Sequence, residues 1–353
     1  MKDYKGVFEG KIVLITGGLG FIGSNLAIRL AEFNPKKIII VDSLVPGLGG
    51  DIHNIKELIN GNILRFVQED IRTIPTMKPL IIESDIIFNL AGSIKHTHLD
   101  EKELAFDTET NFLSQVFFLE AIRQAMTENP SKKIKVVFSG TRDQYGKVPY
   151  EDLPVRENYL QKNLTDYQSI SKNSAESHHM IVNNILREEG IDIKINSLRL
   201  TNTYGPKQSA RTGAAIPIFI EKSTKGETIE LWGGGEFLRD LNYVDDVVNA
   251  FFLIASTDVH GEVYNLGCCV GKMDMQRKGI GGNLSSIKEI AEKIVSISGK
   301  GEIKVIPYPK ERKSVEPGFF AADISKISQL GWFPKTTLDE GLKKTLEWKK
   351  NNF

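Results

Sequence analysis

A lysine and a tyrosine four residues apart on a helix share one face, where the ammonium can hold the phenol ready for proton transfer. The stretch TDYQSISKNSAE, from Thr165 to Glu176, carries such a lysine, Lys172, but the residue four before it is Gln168. Tyr167 comes one place early, about 100° around a helix of 3.6 residues per turn. Three readings stand open: an enzyme with a displaced tyrosine, an enzyme with another proton carrier, or no enzyme.

A second chemistry sits near the start of the chain. TGGLGFIG places Gly17, Gly20 and Gly23 at three-residue intervals between the apolar run KIVLIT (11–16) and the helical pattern SNLAIRLAEF (24–33). One glycine suits a tight turn, one the close approach of backbone to a pyrophosphate, and one the packing of helix on strand. The helix N-terminus then offers unpaired N–H groups to the phosphates, and Phe21, Ile22 and Gly23, just ahead of it, are expected against the cofactor. Asp42 closes the next apolar run. A carboxylate there accepts ribose hydroxyls and repels a 2′-phosphate, so the expected dinucleotide is NAD rather than NADP. Asp70, with Ile71 in EDIR, suits the adenine edge or a helix cap, and Leu90, Ala91 and Gly92 in NLAG let backbone pass close to the cofactor.

These residues need a sheet to place them. KIVLIT, KIIIV (37–41), ILRFVQ (63–68), DIIFNL (85–90) and KVVFS (135–139) are short and mostly apolar, as in a parallel sheet buried on both faces. With helices expected at 101–127 and 166–188, the rhythm is that of a Rossmann-type, doubly wound α/β fold. Past residue 200, helical patterns in GAAIPIFIEKSTKG, VDDVVNAFFLIAS, LSSIKEIAEKIVSIS and LDEGLKKTLEWKK mix with strand patterns in TIELWG and EVYNLG. The expected organisation is an NAD-binding Rossmann domain over 1–200, to which 240–256 returns, and a smaller α/β substrate domain over 201–353. Residues 270–283, rich in glycine and charge, are expected to form a mobile loop.

Composition narrows the function. The 353 residues carry 45 basic and 45 acidic side chains, a balance that argues against nucleic-acid binding. Cys268 and Cys269 are adjacent, which suits neither a disulfide framework nor a metal site. His96 and His98 lack a third ligand, so no metal is expected. The polar N-terminus and the lack of any apolar run near ~20 residues point to a soluble, cytoplasmic protein without a membrane span.

TGGLGFIG, Asp42, NLAG, FSGTRDQYG, the Lys172 helix, LRLTNTYGP and LRDLNYVDD occur in an order that resembles the extended short-chain dehydrogenase/reductase family, in particular its NAD-dependent nucleotide-sugar epimerases and dehydratases. The resemblance spans nearly the whole chain. It implies a nucleotide-diphosphate sugar as substrate and transient transfer of hydride from a sugar carbon to the nicotinamide. It also implies a homodimer built on the helices at 101–127 and 166–188. The usual apparatus is a Ser/Thr that positions the sugar oxygen, a Tyr base, and a Lys that lowers the tyrosine pKa and binds the nicotinamide ribose.

Carried over by residue, the hydroxyl role falls on Thr141, the lysine role on Lys172 and the tyrosine position on Gln168, which cannot ionise. Three groups then compete for the proton. Tyr167 reaches inward if the helix start is distorted. Asp143 lies where dehydratases and decarboxylases carry an acid/base glutamate. Lys172 acts directly or through water, with Gln168 orienting the substrate. Arg142 stands where dehydratases carry an aspartic acid and cannot donate the proton that expels water, so an epimerase is expected ahead of a dehydratase or dehydrogenase. A silent NAD- and nucleotide-sugar-binding protein is the reading from another class. On the substrate side the resemblance assigns Asn202 and Arg239 to the diphosphate. Relatives carry a late arginine before Gly-Asp, but here Glu316 precedes Gly318 and Phe319, leaving Arg312 or Lys313 to supply the charge.

Overall fold

A computed structural model describes residues 3–59, 61–93, 101–309, 316 and 318–352, without the side chains of 101–104. The chain forms two compact units. One comprises Met1–Thr141, Tyr167–Arg199 and Val248–Val263; the other comprises Arg142–Asp166, Leu200–Val247 and Tyr264–Phe353.

A seven-stranded sheet has the order β10 (Val263–Leu266), β6 (Ile193–Leu200), β5 (Ile134–Thr141), β4 (Ile86–Asn89), β1 (Ile12–Thr16), β2 (Lys37–Asp42) and β3 (Leu64–Gln68); the first unit holds all of it but Leu200 and Tyr264–Leu266. The pairs β1–β2, β1–β4, β2–β3 and β4–β5 are parallel, with Thr16 opposite both Val41 and Asn89. This is the doubly wound Rossmann arrangement, and strand order reverses at β1, where such sheets bind ligands beyond their carboxyl ends. Thr16, Asp42, Asn89 and Thr141 all end strands there.

Helices α1 (Phe21–Ala31), α2 (Ile74–Glu83), α3 (Glu101–Thr108), α4 (Ser114–Glu128) and α5 (Tyr167–Glu188) belong to this unit. Leu14, Ile39, Ile87, Val136 and Ile193 from the strands form one core with Leu80 and Ile81 of α2, Phe118 and Ile122 of α4, and Leu186 of α5. Each such side chain contributes about 1.5–3 kcal/mol when removed from water. A separate aromatic cluster joins Phe8, Phe33, Phe88 and Phe252, with Phe8 and Phe252 centroids 4.9 Å apart.

The second unit contains β7 (Asn202–Tyr204), α6 (Ala215–Lys225), β8 (Thr228–Trp232), β9 (Leu238–Tyr243), β11 (Leu284–Ser286), α9 (Ile287–Ser298), β12 (Glu302–Ile306) and α10 (Leu338–Asn352); α7 (Val244–Ser256) runs from this unit into the first. Its strands form a three-stranded sheet, β11-β9-β7, and a β12–β8 pair. A capping box starts α9: the Ser286 hydroxyl accepts from Glu289 N–H while the Glu289 carboxylate accepts from Ser286 N–H.

The loop expected over 270–283 is corrected by the structure, which folds α8 (Gly271–Gln276) and a short turn at Ile280–Gly282 within it. Asp274 accepts from Val270 N–H at 2.9 Å, a local bond at the helix start. The single helix expected at 101–127 is also interrupted, because Glu109–Leu113 winds as a π-helix between α3 and α4. Among the described residues no helix is long and apolar enough to cross a membrane.

Candidate active site

The glycine turn brings three segments of the first unit together. Gly17 has φ +66°, and a Cβ there would lie 2.9 Å from Ala91 N, so Leu90–Ala91 passes over it at van der Waals distance. The first i→i−4 bond of α1 runs from Ser24 N to Gly20 O. The N–H groups of Phe21, Ile22 and Gly23 precede it, at the positive end of the helix dipole. Asp42 faces this turn from β2, its Oδ2 accepting from Leu19 N–H at 3.1 Å and its Oδ1 from Leu44 N–H at 3.0 Å. Burial raises its pKa, and the two N–H bonds oppose that shift. Each oxygen keeps a second lone pair for a hydroxyl donor. Asp70 accepts from Arg72 through backbone N–H and a two-pronged side-chain contact, 3.1 and 2.7 Å. Neighbouring Ile71 is buried in the core.

Helix α5 turns a polar face inward. Gln168, Lys172, Glu176, His179 and Asn183 recur every three or four residues, and all are buried. Lys172 Nζ donates to Ser139 O at 3.1 Å and lies 5.0 Å from the centre of the Phe138 ring. Burial brings its pKa down from 10.5 to about 8. Gln168 Nε2 donates to Ser93 O at 3.0 Å, while its Oε1 is buried with no partner among the described residues. The π-turn places Asn111 so that its Oδ1 accepts from Ser93 N–H at 2.8 Å. Gly92 has no room for a side chain: a Cβ would lie 2.7 Å from Asn111 Oδ1 and 2.9 Å from Lys172 Nζ.

Beneath this runs a closed polar network. Thr16 donates to Asn89 Oδ1 at 2.7 Å, and Asn89 Nδ2 donates to Gln115 Oε1 (2.7 Å) and His179 Nε2 (3.0 Å). Gln115 in turn donates to Ala91 O at 3.0 Å. His179 donates from Nδ1 to Ala175 O at 2.8 Å, which leaves Nε2 as the acceptor. Burial pushes its pKa down to about 3, so it stays neutral.

Thr141 ends β5, two residues beyond the carbonyl that Lys172 binds. Tyr167 is 37% exposed at the start of α5, so its placement does not support an inward reach. Asp143 lies in the second unit, with Oδ1 2.9 Å from Arg142 Nε. In the same unit Asn202 donates to Asp240 O at 3.2 Å, and Arg239 pairs with Glu316 at 2.6 Å. Burial raises the Asp240 pKa to about 7. Cys268 and Cys269 are buried free thiols, and among the described residues no group of three or more His, Cys, Asp or Glu is arranged to hold a metal ion. His96, His98, Arg312 and Lys313 lie outside the described residues.

Residues 13–267 match the model of the NAD dependent epimerase/dehydratase family. The chain belongs to that family. It is 30% identical to a putative UDP-glucose 4-epimerase of Methanocaldococcus jannaschii over 97% of this chain and 99% of the relative. The structure of UDP-glucose 4-epimerase with UDP-glucose from Thermotoga maritima superimposes with TM-score 0.79 at 27% identity, covering 96% of this chain and 99% of the other. The dTDP-glucose 4,6-dehydratase of Bacillus anthracis, solved with NAD, gives TM-score 0.77 at 25% identity over 97% of each chain.

The cofactor of this family is NAD, and the first unit fits it. A cradle that any Cβ at Gly17 would fill, the first-turn N–H groups of α1, which have no partner within the helix, and the spare acceptor capacity of Asp42 match pyrophosphate and ribose diol. Ser93, Asn111, Gln115 and His179 are participants that the sequence reading did not name. The signal for His179 was present: polar residues at helical spacing along α5, where a helix covering a sheet is normally apolar. Asn111 left none, because a π-turn shifts the face each residue presents.

Proposed function

We propose that this family member is an NAD-dependent nucleotide-sugar epimerase that oxidises its sugar transiently to a keto sugar, with Lys172 in place of tyrosine as the proton carrier. One arrangement carries the reading: Lys172 Nζ, the Gln168 amide and the Gly92–Ser93 peptide gather on the inner face of α5. With a pKa of about 8, roughly a quarter of the lysine is free amine near pH 7.5, enough to accept a hydroxyl proton. Gln168 Oε1 supplies a buried acceptor that orients the substrate through another of its hydroxyls, without ionising. Thr141 positions the sugar oxygen. NAD, when bound, supplies the reversible hydride acceptor. The lysine ammonium returns the proton when the opposite face of the keto sugar is reduced.

In the second unit Asn202 and Arg239 are the groups for the diphosphate. Arg142 cannot donate the proton that would expel water, which favours epimerisation over dehydration. Incubation with UDP-, GDP-, CDP- and dTDP-sugars is expected to interconvert one epimer pair with no net consumption of NAD. A product lacking water, or a stable keto product, would assign the chain to the dehydratases or dehydrogenases instead. Tight binding with no product from any sugar would make it a silent binding protein.

We also assign the chain to a homodimer through α4 and α5. Ile181 and Ile185 lie four residues apart on α5, 53% and 43% exposed, and Phe117 of α4 adds a further exposed ring. Sedimentation is expected to give the mass of two chains for the wild type and of one for Ile181→Glu/Ile185→Glu. A wild-type monomer would overturn the assignment.

A further inference from the structure

In the second unit, the Arg239 guanidinium is already paired with a carboxylate. Nη1 donates to the carbonyl oxygens of Leu238 (3.2 Å) and Gly318 (2.8 Å), and Nη2 meets Glu316 Oε1 at 2.6 Å. Glu316 is held in turn: the Tyr308 hydroxyl donates to Oε2 at 2.6 Å, and Gly318 N–H donates to Oε1 at 3.1 Å. The two charged side chains keep 12% and 14% of their exposure. Burial lowers the Arg239 pKa, Glu316 opposes that shift, and the nearby charge of Arg142 adds to it. Arg142 has its own carboxylate in Asp143, yet its Nη1 is buried with no acceptor among the described residues. Among the described residues these two guanidiniums and two carboxylates balance in charge, and Arg142 Nη1 still lacks an acceptor.

We propose that Glu316 is a specificity-determining residue, an internal carboxylate that occupies Arg239 in the place of a substrate's phosphate oxygens and is displaced when they bind. The inference rests on the nucleotide-sugar reading. An arginine fork can grip one pair of anionic oxygens well, from a carboxylate or a phosphate, so the two compete for Nη2. A phosphate arriving while Glu316 holds Arg239 meets a like charge at close range, which disfavours it strongly in a partly buried site. Tyr308 gives Glu316 a second attachment, so the carboxylate can give up Arg239 without losing every partner. The exchange favours ligands with enough phosphate charge to win it, a nucleoside diphosphate over a monophosphate.

The test is calorimetric titration of the NAD-loaded protein with uridine, cytidine, guanosine and thymidine diphosphates, on wild type and Glu316→Gln. The isosteric amide keeps a partner for Tyr308 while removing the competing charge. Binding of the preferred diphosphate is expected to tighten about tenfold in E316Q, because one buried like charge is gone. Tyr308→Phe is expected to weaken it, because Glu316 then loses the hydroxyl partner of its Oε2 and holds more firmly to Arg239 through Oε1. If E316Q binds the diphosphate no more tightly than wild type, the pair is a structural strut and the proposal fails while the nucleotide-sugar reading stands. If no diphosphate binds either protein although both hold NAD, the nucleotide-sugar reading fails and takes the proposal with it.

Discussion

Lys172→Met is expected to lower kcat by roughly a hundred- to ten-thousand-fold, the usual worth of a positioned general base. Methionine keeps an unbranched apolar stem and removes the amine, with its contact to the Phe138 ring and its bond to Ser139 O. Stability helps separate lost chemistry from lost fold. The folded pKa of Lys172, about 8, lies below the 10.5 of the exposed group, so between these values the unfolded chain binds more protons than the folded one. Stability due to this group therefore rises with pH from about 8 to 10.5, and below 8 the burial penalty is present in full. Removing the amine lifts that penalty, and K172M is expected to melt no lower than wild type at pH 7. In the wild type, kcat/KM is expected to rise with pH and level off above about 8, as the free amine becomes the major form. Steady-state kinetics across pH 6–9 on both proteins decides the matter. A K172M variant that keeps a tenth of its activity, or a wild-type profile flat through that range, would remove lysine from the proton step.

How much of this site could be read beforehand depended on which physical signal each residue leaves in a sequence. β1, β2, β4 and β5 announce themselves because strands buried on both faces must be apolar throughout. Gly17 and Gly23 show because only glycine meets their steric demands, and Lys172 shows because its partner position is empty. Helix α2 was not legible: Pro75 sits in its first turn and Pro79 inside it, and proline ordinarily signals a helix end. Segment 270–283 looked like a loop because its glycines and charges outweigh one short helix stabilised by a local Asp274 bond. The site residues that escaped, Ser93, Asn111 and Gln115, act through hydrogen bonds set by tertiary placement. No spacing rule marks such contacts. The pairing of Arg239 with Glu316 escaped for a like reason, since the two are 77 residues apart in the chain. Glu316 reads in sequence only as an acid where relatives carry a base.

Gly23→Ala is expected to abolish retention of NAD through purification and to lower the melting temperature. Its Cβ would stand 2.7 Å from Gly18 Cα and closer still to Gly17 O, both of them backbone atoms. Neither can withdraw cheaply. Gly17 N–H is tied to Val41 O at 2.8 Å, and its carbonyl receives Gly20 N–H at 3.1 Å, so relief of the clash must push α1 away from β1. Overpacking of this kind costs about 1–3 kcal/mol in an ordinary core. Here the same displacement also spoils the N–H groups that face the pyrophosphate, so the loss in affinity is expected to exceed the loss in stability. Gly6→Ala is the control: Gly6 lies in the one-turn helix Lys5–Phe8, nothing lies within 4 Å of its Cβ, and helix propensity favours alanine by up to about 1 kcal/mol. Cofactor content by absorbance and calorimetric titration with NAD should therefore separate the two variants, with G6A binding as wild type. If G23A held NAD as tightly as G6A, the turn after β1 would be a packing device alone, and the cofactor would have to be held by other parts of the unit.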